Sequence, residues 1–569
     1  MASLSKESFK DVNTSLSFTS AFIAVVQACL QVPWYFYVIT LGSILLVWLL
    51  VLLAFLHRRP WDKTLCNPLI RRTSRSHYPI KTFISSIYRR PYYETEYISP
   101  KFSHKMEHNI SHDIDTSLLT IVVEDDPVGY AENSGMLPCI PVEDEINSNE
   151  LFEKLVEMDS DITRYNFLFI ATPSRRLESA RSLALNKEIG LALRNYHRKY
   201  KADKRVRIIS KIDSCLRSNY ESEYEGLTDG LGKRECIEVL IPSYVEQGRV
   251  TIHGCQYIKE NGEYRLMHQS EYASFKGLEY SNSDLALWME RRVDHIGSRK
   301  NVGLIDIDVM RTQSAEEIAA SILEARQRKV NAFVFDTVEA NDLTSAANIL
   351  STLEQQEKTL FLKLGPSMIN LYAAAYAIPH EKNRLDHIQA GDTGIIIAGS
   401  LTSTTKKQIE RYDDYPDTSI VTIKESDLTN IHNADDIITK RSNNIIKKNN
   451  DGDDVILTTE YWKTDKNEYP DIQKRDTVLS LIAKICERIR VSERRWFLIK
   501  GSDTALYTII HGLKIRHFYY CGQYIPGVIH CKCEFNGALK SFFIVGGNVG
   551  TPSLLKKLKE AMAKELSGD

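Results

Sequence analysis

The stretch KIDSCLRSN, Lys211 to Asn219, sets two cations, an acid and two serines within nine residues, with only Ile212, Cys215 and Leu216 apolar. A surface helix would spread such charges around one polar face, and a buried strand would carry fewer. A lysine, an aspartate and an arginine this close suit a site that holds an anion and moves a proton. Arginine forks onto carboxylate or phosphate, lysine supplies a compact charge, and a carboxylate can accept a hydroxyl proton. Taken alone, K-x-D-x-x-x-R reads better as a salt-bridged strand end.

The elements around the motif show where these charges would lie. RVRIISKIDS reads as a strand that delivers the motif at its C-terminal end. LLTIVVEDD (Leu118 to Asp126) is another, stopping at Asp125, Asp126, Pro127 and Gly129. NFLFIATPSRR (Asn166 to Arg176) ends in a polar turn, and the helix expected from about Leu177 to Lys201 carries Leu183, Ile189, Leu193 and Tyr196 at helical spacing. NAFVFDT (Asn331 to Thr337) is a fourth strand, ending at Asp336. Strands alternating with helices imply an α/β domain with a mostly parallel sheet covered on both faces. Ligands of such sheets sit at the carboxyl ends of the strands, where all these polar clusters fall.

The C-terminal third repeats a different unit. GIIIAGSLTSTTKKQIERY gives a strand from Gly394, a turn with Gly399, Ser400, Thr402 and Ser403, and a helix from about Thr404. WFLIKGSDTALYTIIHGL gives a strand from Trp496, a turn over Gly501, Ser502 and Asp503, and a helix closed by Gly512. SFFIVGGNVGTPSLLKKLKEAM gives a strand from Ser541, the loop Gly546, Gly547, Asn548, Val549, Gly550, and an amphipathic terminal helix. Three such units aim backbone N–H groups and helix N-termini at their loops, as an anionic phosphate chain requires. None is a Walker A loop or a full G-x-G-x-x-G.

At 569 residues the chain needs two or more domains, and its 43% hydrophobic and 26% charged content is that of a globular protein. A net charge of -2 points to no nucleic-acid partner. Ten cysteines carry no CxxC pair, and Cys521, Cys531 and Cys533 read as a half-buried hairpin. No metal-ligating set is read. The N-terminus is different: Val12 to Leu56 holds no charged residue. Residues 33–56 are long enough to span ~30 Å of hydrocarbon at about 1.5 Å per residue. Trp34, Tyr35 and Tyr37 at one end and Trp61 beyond the other suit the two interfaces. Within the N-terminal segment 1–32, Phe18 to Val32 is apolar enough for a second, short span, though a single span is preferred. The cation-rich flank 57–115, with Arg58, Arg59, Lys63, Arg71 and Arg72 against the early acid Asp62, places both domains in the cytosol.

These segments resemble the four-carbon acid sugar kinases, two-domain enzymes that phosphorylate tetronates and oxo-tetronates with ATP. The family's K-I-D-S-T-L-R-G-N stands here as KIDSCLRSN, and its P-x-F-P-x-x-G-R-T-T-x-x-G as IPSYVEQGRVTIHG, with Pro242, Gly248, Arg249, Thr251 and Gly254. A-D-D-L-T-G is matched by EDDPVG, and T-x-S-R by Thr172, Pro173, Ser174 and Arg175. G-S-x-S-x-x-T is matched by Gly399, Ser400, Ser403 and a threonine at 404 or 405, G-G-D/E-T by Gly501 to Thr504, and K-S-G-N-F-G by Val545 to Gly550. The order agrees from about Leu118 to Met562. EDDPVG lacks the Leu-Thr, Val545 replaces a lysine, and Ser502 adds a side chain.

The resemblance implies a substrate-binding domain over 116–385 and a nucleotide-binding domain over 393–565; the Asn/Lys/Asp-rich insertion near 425–455 is outside the family pattern and reads as a flexible surface loop. The resemblance also implies ATP with Mg²⁺ and a small sugar acid as ligands. Arg217 or Arg175 would fork onto the substrate carboxylate, Lys211 would neutralise the transferring phosphoryl, and Asp213 would accept the hydroxyl proton. Asp125 or Asp126 would orient or bind Mg²⁺, and Ser174, Ser214, Asn219 and Arg249 would complete the substrate site. Gly399, Ser400, Ser403, Gly501, Ser502, Asp503, Thr504, Gly546, Gly547, Asn548 and Gly550 would hold the nucleotide. The expected protein is a membrane-anchored sugar-acid kinase. The alternative is a degenerate relative that binds without turnover.

Overall fold

A computed structural model describes the chain from Ile114 to Ser567, apart from 126–134, 234–235, 261, 275–279, 294–300, 357–359, 380–384, 386–387, 401, 414–416, 425, 428–433, 461–471, 490–495, 536–537 and 548. The expected membrane span 33–56, the second short segment and nearly all of the basic flank lie outside the described residues. Among the described residues, no helix is long and apolar enough to cross a membrane.

The first half lays down β1 (Leu119–Glu124), β2 (Gly135–Pro141), β3 (Phe167–Ala171), β4 (Val206–Lys211) and β5 (Ile237–Ile241). A small meander follows, β6 (Arg249–Ile252), β7 (Cys255–Glu260) and β8 (Glu263–Leu266), and then β9 (Asn301–Ile305), β10 (Val330–Phe335) and β11 (Leu360–Leu364). A two-residue β12 (Ile378–Pro379) joins the edge of β2. The second half adds β13 (Gly394–Ala398), β14 (Thr418–Ile423), β15 (Asp454–Thr459), β16 (Trp496–Lys500), β17 (Phe518–Ile525), β18 (Val528–Phe535) and β19 (Ala538–Val545). Among the described residues the main sheet runs β14-β15-β13-β16-β19-β18-β17-β2-β3-β1-β4-β11-β5-β10-β9.

Two all-parallel blocks flank an antiparallel bridge. From β2 to β9 every pairing is parallel, as is every pairing from β14 to β19. The bridge β19-β18-β17-β2 is antiparallel throughout, so strand direction reverses between the halves. A flat sheet would then put the two ligand-binding edges on opposite sides. Twist opposes this: six steps separate β16 from β1, and roughly 20–25° per step turns the sheet by about 120–150°. The bridge also contains Cys521, Cys531 and Cys533, buried in the β17–β18 hairpin that the sequence predicts.

Burial follows the alternation of each strand. Ile397, Ile499 and Ile544 face one layer of helices, while Ala398, Leu498, Phe543 and Val545 face the other. In the first half, α1 (Ser179–Tyr200) and α2 (Tyr220–Leu231) pack with almost no side-chain spacer. A Cβ on Gly226 would lie 2.4 Å from the Leu183 carbonyl oxygen, and one on Gly230 2.3 Å from that of Lys187. Glycine is needed there for close approach. Because α2 starts from Asn219, this packing fixes where the KIDSCLRSN motif ends.

The second half contains α3 (Ser403–Asp413), α4 (Ala434–Asn450), α5 (Ile472–Ile489), α6 (Ser502–Tyr507) and α7 (Leu554–Ser567). Helix α4 corrects the expected flexible insertion near 425–455 over Ala434–Asn450. It buries Ile438, Ser442, Ile445 and Asn449 on one face, and the Asn449 amide donates to the Gly394 and Asp453 carbonyls at 3.3 and 3.0 Å. Its polar composition hides a periodic apolar stripe that the sheet covers.

Candidate active site

The neighbouring strands β1 and β4 bring Asp125 and Lys211 to one edge. Lys211 is 2% exposed, and its Nζ lies 3.9 Å from Asp125 Oδ1. Beyond it the backbone bends sharply. Leu216 is fully buried at φ 61, and its N–H donates to the Asp213 carbonyl at 2.9 Å. A left-handed leucine costs on the order of 1–3 kcal/mol, strain of the kind stored at functional sites. The bend lets Arg217 grip Asp213, with Nε 2.7 Å from Oδ2 and Nη2 3.3 Å from Oδ1. The Arg217 guanidinium also stacks on Tyr272, its Cζ 5.1 Å from the ring centroid.

Arg175, on the turn after β3, forks onto Asp125 Oδ2 at 3.1 and 2.9 Å and reaches to 3.9 Å from Asp213 Oδ1. Arg249, at the start of β6, shares the Tyr272 ring at 6.0 Å. Burial pushes the Asp213 carboxyl up, but Arg217, Arg175 and Arg249 outweigh it and hold the group well below the usual carboxylate range. Four cations, Lys211, Arg175, Arg217 and Arg249, thus gather around two described acids, Asp125 and Asp213. Asp126, beside them in sequence, lies outside the described residues. An excess of positive charge, with Lys211 buried and the three arginines half-buried, is what an anionic ligand needs.

Several expected ligands are occupied in holding the loop together. Asp213 is committed to Arg217, and its depressed pKa makes it a weak base, which counts against the role of proton acceptor. Ser174 Oγ donates to Glu223 Oε1 at 2.6 Å, and the Asn219 amide clamps the Ser174 and Leu177 carbonyls at 2.7 and 2.8 Å. Ser214 is buried, and its carbonyl accepts from Gln256 at 3.2 Å. These three support the motif from beneath.

Sequence reasoning missed the partner of that support. Glu223 forms a buried ion pair with Lys363 of β11, 140 residues away, and also accepts from Ser218 Oγ at 2.9 Å. Burial pushes the Glu223 carboxyl up, and Lys363 and the serines bring it below its ordinary value. A second polar cluster sits at the ends of β9 and β10. The Asp336 carboxylate accepts from the N–H groups of His253, Gly254 and Ile307 at 2.7, 2.9 and 3.0 Å, and His253 Nδ1 lies 2.8 Å from Asp306 Oδ2. Burial first, then Asp306, raises Asp336 to about 7. The strand end NAFVFDT marks Asp336 in the sequence and IPSYVEQGRVTIHG marks Gly254; nothing marks Asp306 or Ile307.

The three small-residue loops meet in the second half. Strands β13, β16 and β19 are adjacent, with Lys500 in register with Ala398 and Val545. Thr402 Oγ1 and Thr405 Oγ1 both donate to the Gly547 carbonyl, the latter at 2.9 Å, and the Gln408 amide donates to the Val549 and Thr551 carbonyls at 3.0 and 2.9 Å. A Cβ on Gly547 would lie 2.4 Å from Ser400 Oγ, and one on Gly399 the same distance from Thr504 Oγ1. Gly501 adopts φ 108, ψ 134, a conformation reserved for glycine. Ser403, Ser502 and Asp503 stand in the first turns of α3 and α6, and Gly546 and Gly550 frame the third loop. Asn548 lies outside the described residues.

The two halves touch beside these sites. Arg176, next to Arg175, pairs with Asp144 and with Asp476 of α5 at 3.4 Å, and its Cζ lies 5.8 Å from the Tyr507 ring of α6. The loop of the first site therefore contacts the helix that Gly501 begins.

Residues 120–371 match the family described as a sugar-binding N-terminal domain, and residues 395–555 the one described as a nucleotide-binding C-terminal domain. Together they span more than two thirds of the chain in the order found here. The chain belongs to the tetronate kinase-like family. The family's two domains correspond to the two halves of the sheet. Two solved structures share the fold. A Salmonella typhimurium LT2 protein provisionally called a tRNA synthase superposes with a TM-score of 0.55 at 15% identity, covering 78% of this chain and 98% of its own. A Haemophilus influenzae protein of the family labelled DUF1537 has a TM-score of 0.50 at 16% identity, covering 77% and 99%. None of the curated proteins compared with the chain matches it.

Proposed function

We propose that the chain is an ATP-dependent kinase of a small, four-carbon sugar acid, anchored to a membrane through residues 33–56 with both domains in the cytosol. The observation that carries the catalytic reading is the excess of buried and half-buried cations at the ends of β1, β3 and β4, joined through Arg176 to the helix that opens at Gly501. Arg217 and Arg249, steadied over Tyr272, take the substrate carboxylate. Arg175 and Lys211 neutralise the phosphoryl group as it moves. One P–O bond to the nucleotide breaks as the substrate hydroxyl oxygen forms another, and the hydroxyl proton goes to one of the acids at the end of β1, Asp125 or Asp126. Asp213 keeps Arg217 aimed. Positioning and charge neutralisation are most of what phosphoryl transfer asks of a protein.

The second half suits a nucleotide. Gly399 and Gly547 let the loops close on one another, since a Cβ on either would strike a hydroxyl of the neighbouring loop, while Ser400, Thr402 and half-buried Asp503 offer the oxygen donors Mg²⁺ prefers. Bound Mg²⁺ would shield the phosphate charge. The membrane reading rests on the uncharged stretch 12–56 and its cationic flank.

A second reading, a binder without turnover, is favoured by two departures: Val545 stands where the resembling motif has lysine, and Ser502 adds a side chain beside the nucleotide loop. Thermal shift separates binding from its absence. Saturating Mg·ATP, ~100 times its Kd, should stabilise the protein by about 2.7 kcal/mol. Gly547→Val, whose side chain would strike Ser400, should lose that shift and keep its fold. A wild type unmoved by millimolar Mg·ATP would refute the nucleotide site.

A further inference from the structure

Lys500 ends β16 in the middle of the three glycine loops, immediately before Gly501. It is fully buried, yet among the described residues it makes no ion pair, and its Nζ donates to one acceptor, the Gly546 carbonyl at 2.9 Å. An ammonium has three donors, and a buried one is ordinarily matched by an anion. The strands beside it end on uncharged Ala398 and Val545. Helix α3 opens on Ser403, Thr404 and Thr405 before its first charge at Lys406, and α7 on Leu554 and Leu555 before Lys556. Asp503, three residues on, is the nearest acid in sequence. The three buried lysines of the first half have acids at hand, Lys201 with Asp159, Lys363 with Glu223 and Lys211 near Asp125. Lys500 has a loop built for one.

Register adds a second argument. Lys500 pairs across the sheet with Val545, the position where the resembling motif carries lysine. In-register neighbours on parallel strands point to the same face about 4.8 Å apart. The charge missing from β19 is therefore present one strand over.

We propose that Lys500 is the phosphate-binding cation of the nucleotide site, exchanging the Gly546 carbonyl for a phosphate oxygen of the bound nucleotide. The proposal rests on the nucleotide reading of this domain and names the residue that replaces the lost lysine. Burial lowers Lys500 to about 7, so above neutral pH the empty site is largely uncharged, and an arriving polyphosphate draws a proton onto the amine.

Calorimetry at pH ~7.5, in two buffers of different ionisation enthalpy, tests this with Mg·ATP and with inorganic tripolyphosphate as probes. Wild type should take up a proton on binding. Lys500→Met keeps the shape without the charge. It should bind both probes roughly tenfold to a hundredfold more weakly, the scale of a charge-assisted hydrogen bond, and take up no proton. Its unliganded melting temperature should hold or rise, because an apolar isostere removes a buried amine that has a single acceptor. Adding Val545→Lys to that variant should restore binding, which also guards against a Lys500→Met protein that merely folds poorly. Tripolyphosphate binding with proton uptake, but no nucleotide binding, would sink the nucleotide reading and keep Lys500. Wild-type affinity in Lys500→Met, binding without proton uptake, or a wild type that binds neither probe would overturn the proposal.

Discussion

Asp213 and Arg217 hold each other in a two-point grip, and the grip sets what replacing either should do. Asp213→Asn keeps the shape but leaves Arg217 largely buried without its anion, a loss of about 3 kcal/mol or more. Turnover should fall with it, by ~10² or more if Arg217 orients the substrate. Asp213→Asn/Arg217→Met should regain stability and remain inactive, since it removes the stranded charge together with the carboxylate's partner. Stability recovered along with activity would contradict the assignment. The pH dependence has a definite sign. Asp213 is depressed in the folded protein, so its contribution is complete above the unfolded carboxylate pKa of about 3.9 and drains away as pH falls through the folded value. Wild type should lose stability in that acid range more steeply than Asp213→Asn, as denaturant midpoints will show.

The α1–α2 crossing is the element that fixes the motif. Gly230→Val would drive a branched side chain into the Lys187 carbonyl and should cost about 1–3 kcal/mol by overpacking. It should also lower substrate affinity, because Glu223 of α2 carries the supports beneath Lys211 and Asp213; an unchanged melting temperature would disprove the close packing. Helix α4 predicts slow amide exchange across Ile438 to Asn449, where a flexible insertion would exchange within seconds. Strand ends were readable in the sequence because apolar runs stop at acids and glycines, so β1, β3, β4, β10, β13, β16 and β19 fall where the pattern puts them. Helix α4 was hidden because its asparagines and lysines outnumber the isoleucines that pack. The Glu223–Lys363 pair was hidden because its partners meet only through the sheet, and Ser174 and Asn219 look like ligands until their hydrogen bonds are traced. Composition finds a site; only the fold shows which of its polar groups are already spent.

At the scale of the whole molecule, two family domains share one sheet and a cation-bearing loop reaches across to the nucleotide half. The proposed anchor predicts that the full chain sediments with membranes and resists alkaline extraction, while a protein beginning near Lys105 stays in solution. Protease added to sealed microsomes should digest both domains, and full protection of α7 would reverse the orientation. The central claim, catalysis by the paired domains, is tested most directly by ADP release. The protein from about Lys105 onward is given Mg·ATP and a panel of four-carbon sugar acids, with Lys211→Met alongside. Release that depends on one of the acids, and falls ~10² or more in Lys211→Met, is the predicted result. A wild type that shifts in melting temperature with Mg·ATP yet releases no ADP with any acid would contradict it.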